Sequence, residues 1–198
     1  NANEMQDRLY LNDGKGNFSK TSGALPDFQG SRSCAVPVDF DKDGDMDLFV
    51  GGYIEPRRFP MASRSYFLRN DTKGGHPLFT DVTAAIAPEL TNAGMITQAV
   101  SMDINNDGWS DLLIAGEWMP MKLFLNSKGV YKDASLSYGL ENTEGLWEKI
   151  LAEDLDGDGD LDFVIGALAP NTQLKANINE PMRVYTYDFD NNGVLDPV

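Results

Sequence analysis

The sequence is nearly devoid of the side chains that build zinc sites and disulfide-bonded domains. Its 198 residues include one cysteine, Cys34, and one histidine, His76. A single cysteine excludes an internal disulfide and a thiolate metal cluster. A single histidine argues against histidine-based zinc sites and against Ser–His nucleophilic catalysis. We therefore expect no internal disulfide, no zinc site and no Ser–His catalysis in this chain.

Basic residues are scarce relative to acidic ones. The chain has 16 lysines and arginines against 31 aspartates and glutamates, which gives a formal net charge of −15 at pH 7. Such a surface repels phosphate backbones and anionic lipids, so binding to nucleic acid or to a membrane surface is disfavoured. No apolar run approaches the roughly 20 residues of a transmembrane helix, so we expect no membrane insertion.

The acidic residues are concentrated in four nine-residue windows, which hold 16 of the 31. Charge repulsion at that density would destabilise a fold unless a cation binds there. In chain order, we name these windows the first to fourth loops. They are residues 39–47 (DFDKDGDMD), 103–111 (DINNDGWSD), 154–162 (DLDGDGDLD) and 188–196 (DFDNNGVLD).

Each loop follows the pattern D-Φ-[DN]-x-[DN]-G-x-x-D, in which Φ is apolar. Positions 1, 3 and 5 offer short side chains whose oxygens converge, and the glycine at position 6 permits a sharp turn. That turn lets the carbonyl of position 7 face an ion, and the aspartate at position 9 closes the shell. Hard oxygen ligands without nitrogen or sulfur select Ca²⁺ over zinc or copper. Solvated Asp-Gly turns would explain one loop, but not four in the same phase.

The pattern predicts three to four Ca²⁺ ions, one in each suitable loop. The predicted ligands are the side chains at positions 1, 3, 5 and 9 and the carbonyl at position 7. They are Asp39, Asp41, Asp43, Asp45 and Asp47; Asp103, Asn105, Asp107, Trp109 and Asp111; Asp154, Asp156, Asp158, Asp160 and Asp162; and Asp188, Asp190, Asn192, Val194 and Asp196.

The start of each loop also matches an EF-hand, which needs a glutamate at position 12 and flanking helices. Position 12 is instead Val50, Ile114 and Ile165 in the first three loops. The apolar segments on either side of the loops are short and bounded by turn residues, which is typical of strands. We therefore predict a strand, a calcium loop and a second strand in each case.

A second motif alternates with the loops. An L-Y-L-N segment runs through a glycine-rich turn to an aromatic residue, which predicts a β-hairpin. This motif occupies residues 9–18, recurs at residues 123–131, and recurs with a longer turn at residues 67–83. Two hairpins per repeat give four short strands, which is typical of a β-propeller blade. A β-sandwich could use similar strands but gives no reason for a loop in constant phase.

With these two motifs, the sequence resembles the FG-GAP/VCBS repeats of integrin-α-type propellers, and in particular bacterial surface proteins similar to cartilage acidic protein. The resemblance covers nearly the whole chain. It implies an all-β fold with blades of four antiparallel strands, in a propeller that often has seven blades. In integrins the ions lie in the loop of the first hairpin, away from the main ligand face. This implies that Ca²⁺ here is structural rather than catalytic.

The repeats divide the chain into approximate units. We expect a partial blade at residues 1–27, blades at 28–92 and 93–143, a short or irregular blade at 144–182, and the start of another at 183–198. Residues 166–182 contain no L-Y-L-N segment. The most economical interpretation is part of a larger propeller of about seven blades. The alternative is a four-bladed propeller in which residues 1–22 and 183–198 form one composite blade.

The expected function is a Ca²⁺-stabilised module, extracellular or at a cell surface, that binds a protein or a glycan. In a bacterium the location would be the periplasm or the outer-membrane face. Extracellular calcium modules bind with dissociation constants of ~10⁻⁴–10⁻³ M, which suits such a location. The rest of its own propeller is a further expected partner. The alternative is a propeller enzyme such as a Ca²⁺-dependent polysaccharide lyase, but no base and charge-neutralising set stands out, so no catalytic residue is assigned.

Five further residues carry simple structural expectations. Trp109 should point outward from its loop, whereas Trp118 and Trp147 should pack in the core or between blades. Cys34 should be a small buried hydrophobic residue. Pro37, within the strand that precedes the first loop, predicts an edge or irregular strand.

Overall fold

The computed structural model describes residues 6–28, 30–168 and 179–198. These residues form 14 strands, a four-residue α-helix at Thr83–Ile86, and 3₁₀ helices at Pro88–Asn92 and Ser135–Tyr138. Within these ranges, no helix has the length and apolar character needed to cross a membrane. The strands are β1 (Tyr10–Asn12), β2 (Phe18–Lys20), β3 (Arg32–Val38), β4 (Asp47–Gly52), β5 (Tyr66–Asn70), β6 (Phe79–Asp81), β7 (Met95–Met102), β8 (Asp111–Met119), β9 (Lys122–Ser127), β10 (Val130–Asp133), β11 (Gly145–Glu153), β12 (Asp162–Ala167), β13 (Thr186–Tyr187) and β14 (Asp196–Pro197).

The first blade is the antiparallel sheet β3-β4-β5-β6. Its second strand reads DLFVGG and is almost entirely buried, as expected for a continuous apolar run in a central strand. Gly52 ends this strand where an added Cβ would lie 2.1 Å from the carbonyl oxygen of Ser63, so only glycine fits. Pro37 pairs with Leu48 from the edge strand β3, which confirms its predicted edge position.

The second blade, β7-β8-β9-β10, repeats this order. The end of β8 also pairs with the start of β11 through Gly145 and Leu146, so the β11–β12 hairpin joins the same hydrogen-bonded sheet. In the described part of the chain, no strand pairs with the outer edge of β12. Residues 166–182, which contain no L-Y-L-N segment, lie mostly outside the described residues.

The two blades pack face to face over a shared apolar core. Phe49 and Phe67 from the first blade lie in one cluster with Leu112 and Phe124 from the second, and all four are almost completely buried. The ring of Phe67 stacks on that of Tyr131 at 4.5 Å between centroids. The first strands of successive units, β3, β7 and β11, lie next to one another, as the innermost strands of a propeller do.

Every loop joins the first and second strands of a hairpin, which confirms the predicted strand–loop–strand arrangement. The L-Y-L-N hairpins also form as predicted and share one register. Asn12 pairs with Phe18, Asn70 with Phe79, and Asn126 with Tyr131. The described residues are therefore almost entirely antiparallel β-structure with little helix, as the sequence predicts.

Candidate metal centres

All four loops have the same unusual backbone conformation. Positions 4 and 6 both have positive φ, a region that ordinary side chains rarely adopt. At position 4 the φ values are 61° for Lys42, 58° for Asn106, 81° for Gly157 and 57° for Asn191. At position 6 they are 95° for Gly44, 84° for Gly108, 95° for Gly159 and 82° for Gly193. The glycine at position 6 was predicted, but the turn at position 4 was not. Asparagine or glycine at position 4 in three loops could have indicated the positive φ there, because both residues adopt it more readily than others.

Side chains at positions 3 and 5 stabilise the turns. In the first loop, Asp41 Oδ1 accepts the N–H of Asp43 at 3.2 Å, and Asp43 Oδ1 accepts that of Asp45 at 3.0 Å. The other three loops repeat both bonds at 2.8–3.2 Å. These bonds hold the side chains in place before any ion arrives, which lowers the ordering entropy that binding must overcome.

Three loops bring three carboxylates together. In each, one oxygen per carboxylate lies within 4.8 Å of the others. Ca²⁺ binds oxygen at about 2.3–2.6 Å, so two ligands of one ion are at most about 5 Å apart. These sets therefore have the spacing that a single Ca²⁺ requires. They are Asp39, Asp41 and Asp43; Asp154, Asp156 and Asp162; and Asp188, Asp190 and Asp196.

The second loop differs because Asn105 replaces a carboxylate at position 3. Its side-chain amide donates to Asp107 Oδ2 at 3.0 Å, and its Oδ1 accepts the N–H of Asp107 at 3.0 Å. Asp103 accepts the N–H groups of Asp107 and Gly108 at 3.0 and 2.7 Å. The loop therefore keeps the shared backbone with two carboxylates at positions 1, 3 and 5, as in the fourth loop, against three in the first and third loops.

The aspartate at position 9 closes each loop onto its own start. Its Oδ2 accepts the N–H of the apolar residue at position 2, as in the bond from Phe40 to Asp47 at 3.3 Å. In the second, third and fourth loops this bond is 3.0 Å long. In the two complete blades, the second oxygen accepts an N–H from the third strand, from Asn70 to Asp47 at 2.7 Å and from Asn126 to Asp111 at 2.8 Å.

The closing aspartates of the complete blades are fully buried. Burial raises the pKa of Asp47 from 3.8 to about 6, although its hydrogen bonds from Asn70 and Phe40 act in the opposite direction. Burial raises the pKa of Asp111 as well. Burial thus disfavours the charged form of each carboxylate in the metal-free chain, and a nearby cation would favour that form.

The first loop fits a hard cation on independent grounds. Asp39 Oδ1 and Asp45 Oδ1 are buried and accept no hydrogen bond. A buried acceptor without a partner destabilises the fold, and an ion would supply that partner. Burial, and then the charges of Asp43, Asp41 and Asp39, raise the pKa of Asp45. Sequence reasoning assigned Asp45 through its carbonyl alone and missed its carboxylate.

The tryptophans and Cys34 lie in more specific settings than the sequence indicates. The Trp109 ring lies under the ammonium of Lys42 from the first loop, at 4.2 Å from nitrogen to ring centroid. Trp147 packs against the buried side chains of Leu113 and Ile150, and its Nε1 donates to the carbonyl of Thr143 at 2.8 Å. Cys34 is partly buried beside the main core, and burial raises the pKa of its thiol.

A comparison with known families agrees with both motifs. The FG-GAP-like repeat model matches residues 1–50 and 103–165, which is more than half of the chain. The matched residues include the first three loops and two of the three L-Y-L-N hairpins. No curated protein matches the chain. The chain belongs to the family of FG-GAP-like repeat proteins.

Proposed function

We propose that the chain is a Ca²⁺-stabilised binding module in which each suitable loop holds one ion. The observation that carries this proposal is the set of three carboxylates brought within 4.8 Å in each of three loops. The unpaired Asp39 Oδ1 supports it further, because that atom needs a positive partner. Oxygen-only donors favour Ca²⁺ among the common metal ions.

The role of the ions in this proposal is structural. The closing aspartate connects the loop to its own start and to the third strand, so an ion in the loop stabilises the whole blade. The loop carboxylates are also engaged by backbone N–H groups, which suits fixed ligands better than groups that exchange protons with a substrate. We therefore propose a binding role rather than catalysis, with a protein or glycan as the ligand.

The location that suits these sites is extracellular or at a cell surface. Free Ca²⁺ there is high enough to fill sites with dissociation constants of ~10⁻⁴–10⁻³ M, the range of extracellular modules. Membership of the FG-GAP-like repeat family supports the same location.

Metal analysis and catalytic assays test the proposal together. At equilibrium with millimolar Ca²⁺, we expect elemental analysis, corrected for the Ca²⁺ in the dialysis buffer, to find three or four bound Ca²⁺ ions per chain. We also expect no turnover of anionic polysaccharides with or without Ca²⁺. Absence of bound Ca²⁺ would contradict the proposed metal sites, and Ca²⁺-dependent cleavage of a polysaccharide would contradict the binding role.

No strand in the described part of the chain pairs with the outer edge of β12, which supports a second part of the proposal, that further strands of the same propeller complete the third unit. Val164 in β12 is 51% exposed, whereas the matching strands β4 and β8 are mostly buried. In both complete blades, the third strand pairs with the second and donates the N–H of its asparagine to the closing aspartate. An L-Y-L-N strand on β12 would present the same donor to Asp162.

Hydrogen exchange distinguishes this arrangement from a naturally open edge. We expect the outward-facing amides of β12 to exchange quickly in the 198-residue chain and slowly in the intact gene product. Equal exchange rates in both proteins would show that no further strand covers β12.

A further inference from the structure

Asn126 contacts two different loops at once. It is 1% exposed and lies in the third strand of the second blade. Its backbone N–H donates to Asp111 Oδ1 of the second loop at 2.8 Å. Its side-chain amide crosses to the first blade and donates to the carbonyl of Phe40 at 2.9 Å. Its Oδ1 accepts the N–H of Gly129 at 2.8 Å, which fixes the orientation of the amide.

Phe40 continues this connection into the first loop. Its N–H donates to Asp47 Oδ2, so the closing aspartates of the two loops are joined through Asn126 and Phe40. All four residues are at most 2% exposed. Hydrogen bonds in such a dry environment are strong, and leaving one unmade is unfavourable, so a shift of one aspartate is opposed by the other.

The two loops also touch through their side chains. The ammonium of Lys42 lies 4.2 Å from the Trp109 ring centroid, and an added Cβ on Gly108 would lie 3.3 Å from the same nitrogen. An added Cβ on Gly129 would lie 3.6 Å from Asp41 Cβ. The first loop thus contacts the second loop through Lys42 and Trp109 and lies close beside the turn that follows Asn126.

From these contacts we infer that the first and second metal sites bind cooperatively and that Asn126 is the positioning residue that couples them. This inference rests on the proposed function. An ion in the first loop fixes Asp47 and Phe40, which orders Asn126 and therefore holds Asp111 ready for the second ion. Since part of the ordering is then complete before the second ion binds, its affinity rises, and the effect is reciprocal.

Asn70 is a matched control within the same chain. It occupies the equivalent position in the first blade, and its backbone N–H donates to Asp47 Oδ1 at 2.7 Å. Its side-chain amide donates to the carbonyl of Met46 in its own loop at 3.1 Å. Asn70→Ala therefore removes an asparagine amide beside a calcium loop without cutting the connection between blades.

Terbium luminescence reports on the sites nearest Trp109, which are the second loop and, across the Lys42 contact, the first loop. Tb³⁺ is a hard cation that takes oxygen ligands as Ca²⁺ does, and excitation of a nearby tryptophan sensitises its emission. Trp109 is the tryptophan that lies within a loop; Trp118 and Trp147 lie outside all four. Asp107→Ala should remove the second-site part of the sensitised signal, and the difference between the titrations with and without this substitution is the second-site binding curve.

The test measures Tb³⁺ affinity at the second site with and without a working first site. In an otherwise unchanged chain, Asp43→Ala in the first loop should weaken the second site about fivefold or more. In an Asn126→Ala background, the same substitution should change that affinity less than twofold. In an Asn70→Ala background, the full effect should persist. Thermal unfolding of each variant confirms that it is folded.

Lys42→Asn is a milder second variant if Asn126→Ala does not fold. Asparagine occupies position 4 of the second and fourth loops with positive φ, so the turn is retained while the contact with Trp109 is lost. This variant should reduce the effect of Asp43→Ala on the second site. Unchanged second-site affinity in Asp43→Ala would overturn the coupling while leaving metal binding intact. Coupling that survives in both Asn126→Ala and Lys42→Asn would overturn the assigned route. Absence of Tb³⁺ and Ca²⁺ binding would overturn the proposed function itself.

Discussion

Removal of Ca²⁺ should lower the melting temperature of this protein by a large and calculable amount. Binding to the folded state alone stabilises it by RT ln(1 + [L]/Kd). With ~1 mM Ca²⁺ and a dissociation constant of ~10⁻⁴ M, each site contributes about 1.4 kcal/mol. Three or four sites together contribute about 4–6 kcal/mol, against a typical total stability of ~5–15 kcal/mol.

This contribution converts into a melting-temperature shift. For a domain of 150–250 residues, about 1 kcal/mol corresponds to roughly 2–4 °C, so chelation should lower the melting temperature by about 8–24 °C. Repulsion among the loop carboxylates lowers the stability of the metal-free chain further. Burial, and then the charges of Asp43, Asp41 and Asp39, raise the pKa of Asp45. A fraction of the protein molecules should therefore be unfolded in excess chelator.

Calorimetry or circular dichroism in 1 mM Ca²⁺ and in excess chelator measures this shift. A third sample with matched ionic strength but no Ca²⁺ separates specific binding from general screening of the acidic surface. Loss of metal is verified by elemental analysis. An unchanged melting temperature in protein shown to be metal-free would refute the structural role of calcium and would favour the alternative of a calcium-dependent enzyme.

Three further changes probe individual loops. Asp47→Asn should destabilise the protein by about 1–3 kcal/mol in urea titrations, because an amide nitrogen cannot accept one of the two buried N–H groups. Asp111→Asn should have the same effect. Wild-type stability in both variants would contradict these hydrogen bonds. The raised pKa of Asp47, about 6, means that the metal-free folded state holds a proton that the unfolded chain releases near pH 4, so metal-free stability should fall as pH rises from about 4 to 6. Calcium affinity of the first site should change in the opposite direction and weaken below pH about 6, and a pH-independent affinity in calorimetric titrations would contradict this. Gly44→Ala should cost about 1–2 kcal/mol in Ca²⁺, since φ is +95° at this position, and a neutral result would mean that the turn differs.

Much of the fold follows from local sequence features. The nine-residue spacing of aspartates around a glycine defines each loop. The apolar segments beside each loop are short and bounded by turn residues, which favours strands. Pro37 marks the edge strand because proline has no backbone N–H to donate to a neighbouring strand. The asparagine and the aromatic residue of each L-Y-L-N hairpin fix its register, as Asn126 and Tyr131 show.

The rest depends on how blades meet, which no local pattern encodes. The contact of Lys42 with Trp109, and that of Asn126 with Phe40, join residues far apart in the chain. The complete burial of Asp47 is also a tertiary property, because it requires the third strand to cover the loop. Sequence reasoning therefore predicted a ligand set but not the connection between neighbouring loops.

A crystal structure grown in millimolar Ca²⁺, with anomalous scattering measured to identify the ions, shows whether the loops bind calcium. We expect one anomalous peak in each of the first three loops, with oxygens of the side chains at positions 1, 3 and 5 at ~2.3–2.6 Å. In the first loop these are Asp39, Asp41 and Asp43. Well-ordered loops without ions at that Ca²⁺ concentration would contradict the claim that this protein is built around calcium.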